Sequence, residues 1–414
     1  MAPPPASIVA RNHADISAPT CKIHTVETKV THRIGEPLGK VTGIEEITQR
    51  FVDLLPEQHT RKYKHEELEP AFPDIKWEPL AEIDVPEDAG KRADPKYKQL
   101  FAAATEVDHL TPGFGTVLYG LKLSELNDQQ KDELARLVAF RGVVFFREQN
   151  DLDIQKLLKL GRYYGPLHRH ASTPLPRGAL KDESLLDVHV VKATEERFLS
   201  QTISQGRLWH SDVSYEIQPP SYTFLQLLEG PPTGGDTLWS SGYNLYDRLS
   251  SSLQRYLEDL VAVHTANEQA AEARRNGHPV RREPVTNEHP VIRVNPVTGY
   301  RSVYVNSGFT RYIKGIPREE SDVILRYLFE LTATDVNNTV RWRWKENDVA
   351  VWDNRSTFHS ASFGFWPHYR HVARVTPHGE KPYGGAGLGE SQQDKLLEKF
   401  DAPNVKLFST DSYD

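Results

Sequence analysis

The chain of 414 residues contains a single cysteine, Cys21. That excludes an intrachain disulfide and any cysteine metal cluster, and it fits a reducing compartment. A bound metal would have to be held by histidine and carboxylate, a donor set that suits Fe, Mn or Zn better than Cu(I). Long apolar runs are also missing. No stretch approaches the roughly 18 residues a membrane-crossing helix needs, so no membrane partner is expected. The opening "MAPPPASIVARNHADISAPT" has no long apolar core, which speaks against a secretory signal. It is Pro-rich and contains an acid, unlike a mitochondrial presequence, and the closing "STDSYD" is no peroxisomal tripeptide. The cytoplasm is the expected compartment. An excess of basic charge is absent too: 50 Lys and Arg against 57 Asp and Glu leave a net charge of −7, so no nucleic-acid partner is expected.

What is present is ample apolar content, 38% hydrophobic with 10% aromatic, enough for a large core in a chain of this length. Residues 1–95 are polar and rich in Pro, Glu and Lys, and read as an N-terminal arm. Tyr63, Phe72 and Trp77 could anchor it on the body or on a neighbouring subunit, which would make a homo-oligomer natural. The compact domain is expected over 96–390, with a tail over 391–414. Within it, 113–123 reads as a strand with Gly at its turns. Residues 127–142 read as a helix capped by Asn127 or Asp128 and ended by Gly142. A buried strand over 143–148 and a second amphipathic helix over 152–165 follow. Further strands are predicted at 186–191, 208–215, 222–229, 236–239, 291–294, 302–305, 349–352 and 370–375. Helical inserts are predicted near 244–259 and 319–333. The polar stretch 266–290 reads as a long loop, of the kind that often forms a lid. No internal repeat is found. The fold class is mainly β with flanking helices, a sandwich or barrel.

The chemistry begins at "WHSDVSYE", residues 209–216. In a strand, residues i and i+2 share a face, so His210 and Asp212 would point the same way, as two ligands of one metal. Taken alone, such a pair is more often just an exposed strand face. Here aromatic and apolar neighbours argue for burial, and buried polar groups need partners. A third ligand from another strand is His359, in "VAVWDNRSTFHSA". Two histidines and one carboxylate with open positions make the arrangement of non-haem Fe(II) oxygenases. Arg370 and Arg374 follow His359 by 11 and 15 residues. With Val372 they alternate onto one face of a strand, and an inward-facing arginine fork suits a carboxylate or a sulfonate. The plainer alternative is a pair of surface arginines. "RWRW" (341–344) reads as a strand with alternating faces, and His264, His289 and His378 as structural or exposed.

Taken together, "WHSDVSYEIQPPSYTFLQLLEGPPTGGDTLW", "VAVWDNRSTFHSA" and "HYRHVARVTPHGEKPY" resemble the taurine dioxygenase/TfdA family of Fe(II)- and 2-oxoglutarate-dependent dioxygenases, especially its fungal sulfonate dioxygenases. The resemblance covers about residues 110–385. It implies a double-stranded β-helix, or jelly roll, flanked by helices. It implies His210, Asp212 and His359 as catalytic iron ligands. Thr237 and Arg370 would hold the far carboxylate of 2-oxoglutarate. Arg374 and His170 would hold a substrate sulfonate, and Val213 and Phe309 would line the pocket. The implied reaction uses O₂ and 2-oxoglutarate to hydroxylate the carbon next to sulfur of an alkylsulfonate such as taurine. It releases sulfite and an aldehyde with succinate and CO₂. Two positions depart from the bacterial taurine enzyme: Thr173 replaces a tyrosine that contacts substrate, and Gly206 replaces an asparagine near the taurine amine. A different sulfonate, or another acid such as a sulfate ester, an aryloxyacetate or a betaine, stays open. A zinc hydrolase and a non-catalytic jelly-roll binding protein are the readings from other classes.

Overall fold

A computed structural model describes residues 63–193, 208–365 and 368–399. All of them lie in the second of two compact units, Leu55–Asp414. Cys21, Gly206, the first 62 residues of the arm and the last 15 of the tail lie outside the described residues. In chain order the strands are β1 (Pro70–Ala71), β2 (Glu106–His109), β3 (Thr116–Tyr119), β4 (Val143–Phe146), β5 (Leu175–Pro176), β6 (His189–Ala193), β7 (Tyr222–Glu229), β8 (Thr237–Ser241) and β9 (Val261–Thr265). They continue as β10 (Thr286–Pro290), β11 (Ile292–Val294), β12 (Arg301–Val303), β13 (Thr310–Lys314), β14 (Thr339–Trp342), β15 (Val349–Asp353), β16 (Thr357–Ala361) and β17 (Arg370–Val375). The helices are α1 (Lys98–Ala103), α2 (Asp128–Arg141), α3 (Ile154–Tyr164), α4 (Gly242–Asp247), α5 (Ser251–Glu258), α6 (Asn267–Arg275), α7 (Arg318–Thr334) and α8 (Gln392–Lys399).

Period-2 alternation sorts the central strands onto two faces. In β4, β15 and β17, Val144, Phe146, Val349, Val351, Ala373 and Val375 pack with Leu134, Leu137 and Val138 of α2 and Leu157 and Leu158 of α3. Their alternates, Val143, Phe145, Ala350, Trp352 and Val372, join a second core with Trp239 of β8 and Trp342 of β14. The large sheet runs β2-β3-β4-β15-β7-β17-β6, and a smaller one runs β14-β8-β16. Only the β3–β4 pair of the large sheet is parallel. Phe145 stacks on Trp342 at 4.2 Å between ring centroids and meets Trp239 edge-on at 5.2 Å, so the two sheets share one aromatic core. A third sheet, β10-β9-β13, carries α7.

The first capped helix matches its local signals. Asn127 and Gln130 form a capping box at the start of α2, and Gly142, at φ 71°, ends it. Asp153 caps α3. Other expectations are corrected. No strand spans 208–215: His210 makes an isolated bridge to His359, and the chain turns at 212–215. The strand expected at 186–191 runs from His189 to Ala193, because a 3-10 helix occupies Glu183–Asp187. The strand expected at 113–123 shrinks to β3, bounded by Gly115 and Gly120 at positive φ. The insert at 244–259 is two helices, α4 and α5, because Ser250 caps a fresh start.

The stretch 266–290 is not a structureless loop. It contains α6 and β10, and the segment between them is pinned: Arg281 N donates to Ala171 O, and Arg282 donates to Glu216 and to Arg169 O. Trp77 N donates to Arg281 O, and Phe72 stacks on His278 at 3.7 Å, so the described part of the arm lies on this segment of its own chain. "RWRW" alternates as expected, with Arg341 and Arg343 exposed and Trp342 and Trp344 buried. His264, His289 and His378 are buried, each hydrogen-bonded to a hydroxyl or a carbonyl.

Candidate metal and anion site

The site forms where the two sheets meet. His210 N donates to His359 O at 3.1 Å, and His359 N donates back to His210 O at 2.8 Å. This antiparallel pairing extends the smaller sheet past β16 and sets the two histidines side by side, with ring centroids 4.2 Å apart. Gly308 permits the fit, since a Cβ there would come within 2.9 Å of His210 Cβ. The chain then turns at Asp212. Val213 takes φ 40°, a left-handed conformation that costs a β-branched residue about 1–3 kcal/mol. The turn is held by hydrogen bonds from Ser211 Oγ to Asn354 O, from Asp212 N to Asn354 Oδ1 and from Glu216 N to Val213 O. On a straight strand, alternate residues are spaced about 7 Å. The turn instead folds the carboxylate back, so that Asp212 Oδ1 lies 3.7 Å from both His210 Nε2 and His359 Nε2.

These three residues are the one group of possible metal donors found among the described residues, with all donor atoms within 4.8 Å of one another. Their chemistry fits a borderline divalent ion such as Fe(II), which takes imidazole nitrogen and carboxylate oxygen. His210 Nδ1 donates to Leu208 O at 2.8 Å, which fixes the tautomer and leaves the Nε2 lone pair for the ion. Thr223 Oγ1 donates to Asp212 Oδ2 at 2.8 Å, and Asn354 Nδ2 donates to Thr223 Oγ1 at 2.7 Å. Burial raises the Asp212 pKa, but Arg374, His359, His210 and the Thr223 hydroxyl outweigh it and hold the carboxyl well below its usual range. Burial pushes His359 well down, and His210 adds to this, so its imidazole stays neutral. His210 keeps 29% of its side chain exposed, against 8% for His359, so the triad opens on the His210 side.

Two arginines, Arg370 and Arg374, share one face of β17 with Val372. Arg370 Nη2 donates to Thr237 Oγ1 at 3.2 Å, and Trp344 Nε1 donates to the same oxygen at 3.0 Å. Gly235 makes room, because a Cβ there would sit 3.1 Å from Arg370 Cδ and its φ is +66°. Arg374 Nη1 donates to Asp212 Oδ1, and its Nε donates to His189 Nδ1 at 3.3 Å. His170 is buried beside them, 5.2 Å from His189 between ring centroids. Its Nδ1 accepts from Ser172 N and Thr173 N, so Nε2 carries the proton. Burial, with His189 and His168 nearby, keeps it neutral. Val213 and Phe309 form a small apolar cluster with Tyr215 and Ala266, and Phe309 meets the His210 ring edge-on at 5.9 Å. The Thr173 carbonyl accepts from Arg281 Nη1 at 2.8 Å.

The expected site residues are thus brought together, apart from Gly206, which is not described. Sequence reasoning missed Thr223, Asn354, His189 and Glu216. Asn354 stood within the "WDNR" signal. Thr223, His189 and Glu216 carried no signal, since their roles depend on partners 11, 185 and 48 residues away.

The comparisons with known proteins agree with this geometry. The model of the family described as "Taurine catabolism dioxygenase TauD, TfdA family" matches residues 106–376. A Schizosaccharomyces pombe protein, named for an alpha-ketoglutarate-dependent sulfonate dioxygenase, is 43% identical over 350 residues, covering 84% of this chain and 88% of that protein. The alpha-ketoglutarate-dependent sulfonate dioxygenase of Saccharomyces cerevisiae is 38% identical, covering 82% and 84%. Among solved structures, a taurine dioxygenase from Burkholderia xenovorans is similar with a TM-score of 0.57 at 28% identity, covering 69% of this chain and 94% of that one. With the match spanning both sheets, the donor triad and both arginines, the chain belongs to the TauD/TfdA family and is a 2-oxoglutarate-dependent dioxygenase.

Proposed function

We propose that the protein is an Fe(II)- and 2-oxoglutarate-dependent dioxygenase that oxidises alkylsulfonates at the carbon next to sulfur. The overall change takes one sulfonate, one 2-oxoglutarate and one O₂ to an aldehyde, sulfite, succinate and CO₂. The observation that carries this reading is the convergence of the His210–Asp212–His359 triad with two arginines on one face of β17. The sulfonate names of the two yeast relatives support the substrate class.

Iron held by His210, Asp212 and His359 supplies the O₂ chemistry when bound. The protein's own residues do the rest. Arg370 and the Thr237 hydroxyl hold the far carboxylate of 2-oxoglutarate, with Trp344 orienting the hydroxyl. Arg374 takes the sulfonate by charge-assisted hydrogen bonds. His170, with its proton fixed on Nε2, offers a second donor. Val213 and Phe309 cover the alkyl part and exclude water. Thr223 and Asn354 fix the Asp212 carboxylate.

Anaerobic titration with Fe(II) and 2-oxoglutarate should give the charge-transfer absorption of the chelated cosubstrate. Taurine, isethionate, longer alkylsulfonates, alkyl sulfates and an aryloxyacetate should then be compared for sulfite and succinate. Sulfite from at least one sulfonate is expected. Turnover without O₂ or 2-oxoglutarate, or succinate driven by the carboxylate and no sulfonate, would sink the proposal.

The wider organisation is part of the same reading. The aromatic core shared by the two sheets supports a jelly roll. An arm (1–95), a catalytic domain (96–390) and a tail (391–414) are proposed, and Asp88 of the arm is ion-paired with Arg355. Among the described residues no helix is long and apolar enough to cross a membrane, which is compatible with the cytoplasm. A homo-oligomer is proposed from the exposed Val323 and Tyr327 of α7, and light scattering on the full chain tests it.

A further inference from the structure

We propose that His189 is a positioning residue that fixes which edge of Arg374 meets the substrate anion, an inference that rests on the anion-binding role of Arg374. The two residues are direct cross-strand partners in the β17–β6 pairing. A guanidinium can meet a planar or tetrahedral anion along its Nε/Nη2 side or along its Nη1/Nη2 end. Here the side is occupied. Arg374 Nε donates to His189 Nδ1 at 3.3 Å, while Nη1 donates to Asp212 Oδ1. With Nε engaged the Nε/Nη2 side is closed, and Nη2 with the remaining proton of Nη1 is left to address a ligand.

His189 suits this task because of its tautomer. Its Nε2 lies 3.3 Å from His168 O, and since a carbonyl can only accept, Nε2 carries the proton. The Nδ1 lone pair is thereby committed to Arg374. The imidazole is fully buried, at 1% exposure, and its ring stands nearly perpendicular to both His168 and His170. His168 is held in turn by Glu216 Oε1 at 3.0 Å, which also pairs with Arg282 at 3.1 Å. The segment carrying His170 and the strand carrying Arg374 are therefore tied through one imidazole. Asp212 is a poor substitute as the sole anchor of Arg374, because its Oδ1 is also the atom that faces both histidine ligands.

Three variants of the full chain test this. His189→Leu removes the acceptor. His189→Asn keeps an oxygen near the Nδ1 position. His189→Leu in an Arg374→Lys background asks whether the effect passes through the guanidinium, since lysine has no Nε–H. Kinetics are read as sulfite and succinate with the best sulfonate of the panel, alongside 2-oxoglutarate titration and melting temperature. His189→Leu should raise the sulfonate KM by about 10- to 100-fold, the loss of one charge-assisted hydrogen bond. The 2-oxoglutarate affinity should stay within about twofold, because the Arg370 end is untouched. His189→Asn should recover most of the KM loss, and the Leu change should add no more than about twofold on top of Arg374→Lys. An unchanged KM, an equal loss of 2-oxoglutarate affinity, or full additivity would overturn the role of His189. If wild-type protein releases no sulfite but another anion in the panel drives succinate formation, the sulfonate reading fails, and the same KM comparison on that anion decides His189 separately. If no anion stimulates succinate formation, both fall.

Discussion

Arg370 and Arg374 sit four residues apart on the same face of the same strand, yet they are held in different ways. Arg370 leans on a neutral hydroxyl, Thr237, with the Trp344 ring 5.6 Å from its guanidinium carbon. Arg374 is gripped by a carboxylate and an imidazole, Asp212 and His189. Under the proposed function the first environment suits the distal carboxylate of 2-oxoglutarate, and the second joins a cation to the carboxylate proposed to hold the metal. The difference shows that a residue type and its spacing do not fix a role; what stands across the sheet does.

Four measurements would break or sharpen this contrast. The largest effect is expected from Asp212→Ala. It removes one of three metal donors and leaves Arg374 without its ion partner, so product formation should fall by about a thousandfold or more, given the several kcal/mol lost on breaking a buried pair. Sulfite release within tenfold of wild type would break the assignment. Next come the arginines themselves. Arg370→Ala should weaken 2-oxoglutarate binding by about two to three decades, from about 3–5 kcal/mol, with the sulfonate KM nearly unchanged. Arg374→Ala should do the reverse, moving the sulfonate KM and sparing 2-oxoglutarate. If both variants lose both ligands equally, the two arginines are not separate subsites.

The third test uses two buried histidines outside the donor triad, His378 and His289. Burial pushes His378 and His289 down to about 4, with His168 and Arg293 respectively adding to the effect. In the unfolded chain each titrates near 6.5. Between these values the unfolded state holds the proton and the native state does not, so stability is full above about pH 6.5 and falls with acid. Lowering the pH from 7 to 5 should cost about 2 kcal/mol for each of the two. Denaturant midpoints of the metal-free protein at both pH values give the answer, and equal midpoints would show that burial does not hold these imidazoles neutral. The smallest effect concerns the support of Asp212. Thr223→Val deletes the donor to Oδ2 and should weaken Fe(II) or Mn(II) binding by about tenfold, measured by competition with a chromophoric chelator.

Much of this was open to inspection in the residues. The cap at Asn127, the stop at Gly142 and the alternation of β17 depend on neighbours within a few positions, so local pattern suffices to find them. The three donors could be proposed because few residue types can do that work in a chain with one cysteine, whereas the two arginines took their roles from the family resemblance. What local pattern misjudged was "WHSDVSYE" itself. Alternation predicted a strand with both ligands on one face, whereas the chain bridges at His210 and turns at Asp212. Asn354, 142 residues away, holds that turn, and Val213 is strained to allow it.

By itself, then, the sequence determined which side chains could serve as metal donors and the strand on which Arg370 and Arg374 alternate, because these follow from side-chain chemistry and a period of two; the roles of the arginines came from the family resemblance. Only the tertiary structure decided that His210 and His359 lie side by side, that Asp212 swings back between them and that His189 faces Arg374. Each of those facts is a contact between segments far apart in the chain, set by how two sheets close on a shared aromatic core.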